Sequence, residues 1–138
     1  MSTRYGMGVS ETAPVMVPLA EPRPLSTAER ALLDALVDRT GHDDLRAQAS
    51  TAVVWSACSC GCPSAGLRVT GPRLSTVDMA RFSRYGRDDY FGVHGYGGDV
   101  EIVVHVLQGV IDELEVYEDD GLRPALPSPA ELTNVEIY

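Results

Sequence analysis

The sequence predicts an α+β domain: two N-terminal helices packed on one face of a mainly antiparallel sheet. Three observations carry this. A capped stretch with helical apolar spacing follows residue 25, alternating apolar runs come later, and turn residues separate those runs as in hairpins. A chain of 138 residues fits one domain and can bury a core without disulfide or metal staples.

Residues 1–24 are expected to be a flexible Pro-rich arm, because Pro14, Pro18, Pro22 and Pro24 forbid a continuous helix and the apolar residues show no period. Order begins at Ser26-Thr27-Ala28-Glu29, where a Ser at the cap and a Glu three residues on form a capping box. Leu32, Leu33, Leu36 and Val37 follow as one apolar stripe, and Gly41 is a natural stop after Thr40. A shorter helix is expected from about Asp43 to Ser50, with Asp43 and Asp44 at its positive end. Thr51 to Ala57 reads as a strand and Ala65 to Gly71 as its partner, with Leu67 and Val69 on one side and Arg68 and Thr70 on the other. Gly61, Pro63 and Gly66 make the connection between them a turn.

From Pro72 to Gly98 the signals are weak. Short extended pieces are expected near Leu74–Met79 and Asp89–His94, and the run from Gly92 to Gly98 reads as a loop that matches neither a P-loop nor a dinucleotide fingerprint. The clearest local structure is a hairpin over 99–118. Val100, Ile102, Val104 and Val106 alternate with Glu101, Val103, His105 and Leu107, while Val110, Leu114 and Val116 alternate with Glu113, Glu115 and Tyr117. A two-residue turn would pair Val104 with Glu113. The expected turn is therefore Leu107-Gln108-Gly109, which pairs Val106 with Val110 and Ile102 with Leu114. That register sets Glu101 across from Glu115 and His105 diagonal to Glu113. Gly121, Pro124, Pro127 and Pro129 then make the chain irregular, so the domain is bounded at 25–132, with 133–138 a tail that returns to the sheet edge or stays loose.

The net charge is −9, and all of its 11 cationic residues are arginine, a bias expected of a GC-rich genome. Residues 1–98 are balanced, whereas 99–138 hold ten acids against Arg123 alone. Such asymmetry favours a basic partner and disfavours nucleic acid. No run approaches the roughly 18 apolar residues of a membrane span, and the N-terminus lacks the apolar stretch of a secretory signal. A cytoplasmic protein without membrane contact is expected, its thiols reduced.

Those thiols are the most improbable feature of the chain. Cys58-Ser59-Cys60-Gly61-Cys62-Pro63 holds every cysteine within five residues, and three is an odd number for a disulfide framework. In an extended segment all three would project from one face, near enough for one thiophilic ion. A structural zinc site wants four ligands with wider spacers, so a fourth would come from His94, His105 or His42; His94 is taken as the candidate. Cys-x-Cys can also form a strained, reducible disulfide, although no basic neighbour or helix N-terminus is at hand to lower a thiol pKa. Small buried hydrophobes are the third alternative.

On the outward face of the hairpin, Glu101, Glu113, Glu115 and Glu118 are the candidate partner-binding residues, since like charges placed opposite each other are costly without a purpose. A solvated sheet face is the competing explanation. The segment Arg81-Phe82-Ser83-Arg84-Tyr85-Gly86-Arg87, with Tyr90 and Phe91, interleaves basic and aromatic residues as RNA-binding loops do, but the acidity of the chain favours internal pairing with the hairpin. No Ser-His-Asp grouping or nucleophile elbow is legible, and His42-Asp43-Asp44 suits a helix cap better than a ligand set.

The runs Leu25–Leu33, Cys58–Ser64 and Leu114–Tyr117, with Leu126-Pro127, resemble a group of small uncharacterised actinobacterial proteins carrying a Cys-x-Cys-Gly-Cys-Pro motif. The resemblance spans most of 25–132 and implies domain limits and source, with no activity to carry over. In general character the chain is also similar to immunity proteins of bacterial toxin systems. The expected function is a noncatalytic, acidic, immunity-like binding protein that meets a basic protein partner and needs no cofactor. The alternative is a thiolate metal-binding protein, structural or sensory, holding zinc or another thiophilic metal on Cys58, Cys60 and Cys62 with His94. No catalytic residue is assigned.

Overall fold

The computed structural model describes residues 14–118 and 125–138. The chain runs β1 (Met16–Pro24), α1 (Thr27–Asp38), α2 (Asp43–Ser50), β2 (Val53–Cys58), β3 (Ala65–Arg68), α3 (Thr76–Phe82), β4 (Tyr90–Gly97), β5 (Val100–Leu107), β6 (Val110–Tyr117) and β7 (Leu132–Ile137), with a short 3-10 turn at Pro129–Glu131. The strands form one seven-stranded sheet in the order β1-β2-β3-β6-β5-β4-β7. All its pairings are antiparallel. Two meanders, β1-β2-β3 and β4-β5-β6, are thus joined in the middle by the short β3–β6 ladder, where Ala65 faces Leu114 and Gly66 faces Glu113.

The α+β class holds, but among the described residues there are three helices and they are not all N-terminal. The third follows from Ser75, whose hydroxyl accepts from the Asp78 amide at 3.1 Å and caps α3. Only Met79 of this helix is fully buried, so its apolar period is too short to announce it. The first helix begins as the sequence dictates: Ser26 accepts from the Glu29 amide, and Glu29 accepts from the Ser26 amide.

Alternate residues of the central strands (Phe91 and Val93, Ile102, Val104 and Val106, Leu114 and Val116) join Leu33, Leu36, Val37, Leu45, Ala49 and Met79 in one core. The helices therefore cover a single face of the sheet and leave the other open. Ile102 and Leu114 are 0% exposed while Glu113 and Glu115 lie on the open face, as the hairpin alternation requires.

Three expectations are corrected. The prolines of the N-terminal segment do forbid a helix, yet Met16–Pro24 is an edge strand paired to β2, with its register broken between Pro18 and Arg23. Proline is tolerated there because an edge leaves one row of amides unpaired. Residues 1–13 lie outside the described residues, as do Gly121 and Pro124. At the C-terminus the first of the two expected courses is taken: Leu132–Ile137 returns to the sheet edge as strand β7, paired to β4. The glycine-rich run up to Gly97 is strand β4 rather than a loop. Its glycines make room for neighbours: a Cβ on Gly97 would sit 2.5 Å from Pro127.

The third correction concerns the hairpin register. The turn is the two-residue Gln108-Gly109, with φ of 53° and 85°, the left-handed pair that matches the twist of the strands. Leu107 faces Val110 and Val106 faces Ile111, and the register then shifts so that His105 faces Glu113 and Val104 faces Leu114. Asp112 is the extra residue of a bulge, and it restores the buried parity that a two-residue turn alone would violate. Glu101 therefore faces Tyr117, not Glu115, and His105 faces Glu113 directly. Among the described residues no helix is long and apolar enough to cross a membrane.

Candidate metal centre

Strand β2 ends at Cys58, which faces Met16 of β1 across the sheet edge. The chain then turns sharply. The Gly61 amide donates to the Cys58 carbonyl at 3.1 Å, and Gly61 takes a φ of +82°. Ser59 clips this turn to the start of β1: its amide donates to the Val15 carbonyl at 2.8 Å, and its hydroxyl accepts from the Val15 amide at 3.0 Å. The thiols thus sit on a braced knuckle at one end of the sheet.

The three Sγ atoms lie within 4.8 Å of one another. The Cys58 and Cys60 sulfurs are 3.1 Å apart, and the Cys62 amide points at the Cys60 sulfur from 3.4 Å. Cys60 is exposed and the other two are half-buried. Position separates their chemistry. Burial pushes the Cys58 thiol up to about 11, helped by the thiol contact with Cys60. The Cys60 thiol is held below its usual range because Cys58 donates to its sulfur, joined by the Cys62 amide. The lowering comes from within the cluster, which the absence of a nearby cationic side chain in the sequence does not reveal.

His94 does not join it. It lies on β4, four places along the sheet from β2, and its Nδ1 is 2.9 Å from Glu101. His105 and His42 are likewise engaged elsewhere, with Glu115 at 2.7 Å and Asp78 at 3.0 Å. His42 also caps α2, its Nδ1 accepting from the Asp44 amide at 3.1 Å. Among the described residues, the group able to hold a metal ion consists of the three cysteines alone.

The carboxylates expected to meet a partner are distributed over the open face. Glu101 is committed to His94 and Glu115 to His105. The His105 hydrogen bond holds the Glu115 carboxyl below its ordinary value, whereas burial raises that of Glu113. Nδ1 of the same His105 ring lies 2.6 Å from the Tyr90 hydroxyl. Burial pushes Tyr90 up to about 12, so it remains a donor. Glu118 directly follows β6 and is half-buried.

The arginines of the 81–87 segment pair internally, although not with the hairpin. Arg81 reaches Asp78 at 3.4 Å, Arg84 reaches Glu136 at 2.8 Å, and Arg87 reaches Asp89 at 2.9 Å. Arg84 and Arg87 also lie over the rings of Tyr138 and Tyr90. Comparison with known proteins finds no matching family model, no similar curated protein and no similar solved structure.

Proposed function

We propose that this chain is a thiolate metal-binding protein that takes one soft ion on Cys58, Cys60 and Cys62 and leaves a coordination position open. The carrying observation is three sulfurs within 4.8 Å on one exposed turn. Tetrahedral zinc with Zn–S bonds of about 2.3 Å holds its sulfurs roughly 3.8 Å apart. That separation lies between the 3.1 Å of Cys58 and Cys60 and the 4.8 Å limit of the set, so binding needs only side-chain adjustment. Thiolates select zinc and Cu(I) over harder cations. Structural zinc sites are closed by four protein ligands, and an open fourth position suits exchange. A sensor or carrier fits this donor set better than a structural clip.

The reading in which an acidic face binds a basic partner draws on the −9 charge. It is supported less well, because Glu101 and Glu115 already accept from histidines that a partner would have to displace.

Untagged protein, purified under reductant and stripped with chelator, is titrated with Zn(II) and separately with Cu(I), then desalted for elemental analysis. Wild type is expected to retain one equivalent, and C58S/C60S/C62S none. Retention below about a tenth of an equivalent of both metals, or equal retention by the triple variant, overturns the assignment.

A further inference from the structure

We propose that Cys58 and Cys60 form a dithiol–disulfide couple that a hydroperoxide oxidises, with Cys60 as the entry point and Cys58 as the resolving thiol. Their sulfurs are 3.1 Å apart and within hydrogen-bond contact. Cys60 is the exposed member and so meets the oxidant first, while Cys58 is half-buried at the end of β2. The turn closed between Cys58 and Gly61 folds the two side chains back on each other, and the Ser59 clip to Val15 holds it there. Cys62 offers the Cys60 sulfur its amide, at 3.4 Å.

The chemistry balances in two steps. Cys60 sulfur attacks the peroxide, the O–O bond breaks, one oxygen stays on sulfur as sulfenic acid, and the other leaves as water (or as an alcohol from an organic peroxide). Cys58 sulfur then attacks Cys60 sulfur. The S–S bond forms, the S–O bond breaks, and a second water leaves. Two thiols have given up two electrons and one peroxide has taken them.

A consequence rests on the metal reading above: the disulfide withdraws two of the three sulfur ligands, so oxidation would expel a bound ion. The site would then couple peroxide to metal release. The redox step itself needs no metal, which lets the two ideas fail separately.

The test starts with metal-free folded protein, treated with a small excess of hydrogen peroxide, alkylated and mapped by mass spectrometry. Wild type is expected to lose two hydrogens and leave only Cys62 alkylatable, with the cross-link between Cys58 and Cys60. C62S should form the same bond. C58S should instead accumulate oxygen adducts on Cys60. The same oxidation in concentrated urea should scatter the cross-link over all three pairings, because the turn no longer selects one. Three free thiols after treatment of the folded wild type, a predominant bond to Cys62, or an unchanged pairing pattern in urea overturns the proposal. Zinc-loaded protein forms the second arm: cross-linking without metal ever binding removes the metal reading alone, and metal binding without cross-linking removes the redox couple alone.

Discussion

Replacing Gln48 by leucine should loosen the hairpin that organises the open face. Gln48 projects from α2 and is 1% exposed. Its Nε2 donates to the Pro72 carbonyl at 2.7 Å and to the Gly109 carbonyl at 2.9 Å, while its Oε1 accepts from the Ile111 amide at 2.9 Å. These partners flank the Gln108-Gly109 turn and the Asp112 bulge, so one side chain ties the helix layer to the irregular part of the ladder. Leucine conserves the approximate volume but removes all three bonds. Gly109 keeps a donor, the Leu74 amide at 3.0 Å. The Pro72 carbonyl, on an exposed residue, can turn to water, but the buried Ile111 amide is left unsatisfied, at about 1–3 kcal/mol. The net loss should be about 2 kcal/mol. In a domain of this size that lowers Tm by about 6 °C. Urea unfolding followed by circular dichroism measures the stability, and amide exchange at Ile111 should accelerate selectively. A Q48L protein within about half a kcal/mol of wild type, with Ile111 still protected, would show that the side chain does not hold this turn.

Two further outcomes follow from the open face. A Cβ on Gly66 would stand 1.9 Å from the Ser56 hydroxyl, which is buried with no hydrogen-bond partner in the structure. G66A should therefore cost about 1–3 kcal/mol by overpacking, S56A should be neutral or stabilising, and S56A/G66A should recover part of the loss; additive effects in this thermal-melt cycle would refute the contact. Glu115 has a folded-state pKa depressed by His105, so its contribution to stability is present above the unfolded carboxyl value and is lost as pH falls through the lower folded value. E115Q should flatten the fall in Tm below about pH 4.5, while E113Q, which removes a carboxyl whose pKa burial raises, should not; identical acid limbs in wild type and E115Q would contradict the assignment.

Much of the fold was legible because local chemistry and packing agree. The capping box at Ser26 and Glu29, the stripe Leu32–Val37 and the alternation of Val100–Val106 each state their element without outside help. The failures lie where a distant neighbour decides. Gly92, Gly95 and Gly97 read as a loop until Pro127 and the β7 residues pack over them. Pro18 and Pro22 break a helix but are harmless at a sheet edge, and no local signal says that Met16–Pro24 will find β2. The hairpin register turned on one bulged residue, Asp112, whose neighbour Ile111 is held by Gln48 from 63 positions away. The Ser75-x-x-Asp78 cap is a local signal for α3, but its helix is too short to show an apolar period. At the site, cysteine spacing only confines the sulfurs to one neighbourhood, since an extended run would set Cys58 and Cys62 about 13 Å apart; the turn at Gly61 brings them together. The fourth ligand was not legible: His94 satisfies the spacing rules of no motif, and sheet order carries it away to Glu101.

The short span of the cysteines also bears on what a metal there could do. Structural zinc closes a long loop between ligands distant in sequence, and the unfolded chain cannot reproduce that arrangement, so metal binding becomes folding free energy. Cys58, Cys60 and Cys62 lie within five residues, and an unfolded chain can gather them with little loop-closure entropy. An ion that also binds the unfolded state stabilises the fold weakly. Nor does the fold need that help, since its core, from Leu33 of α1 to Val116 of β6, includes none of the three cysteines. What the fold adds is orientation: β2 fixes Cys58, the Val15 clip fixes Ser59, and the Gly61 turn aims the Cys62 amide at Cys60. Affinity is thereby separated from folding. A site whose ion can leave without unfolding the protein is suited to exchange, and that property distinguishes a sensor or carrier from a clip.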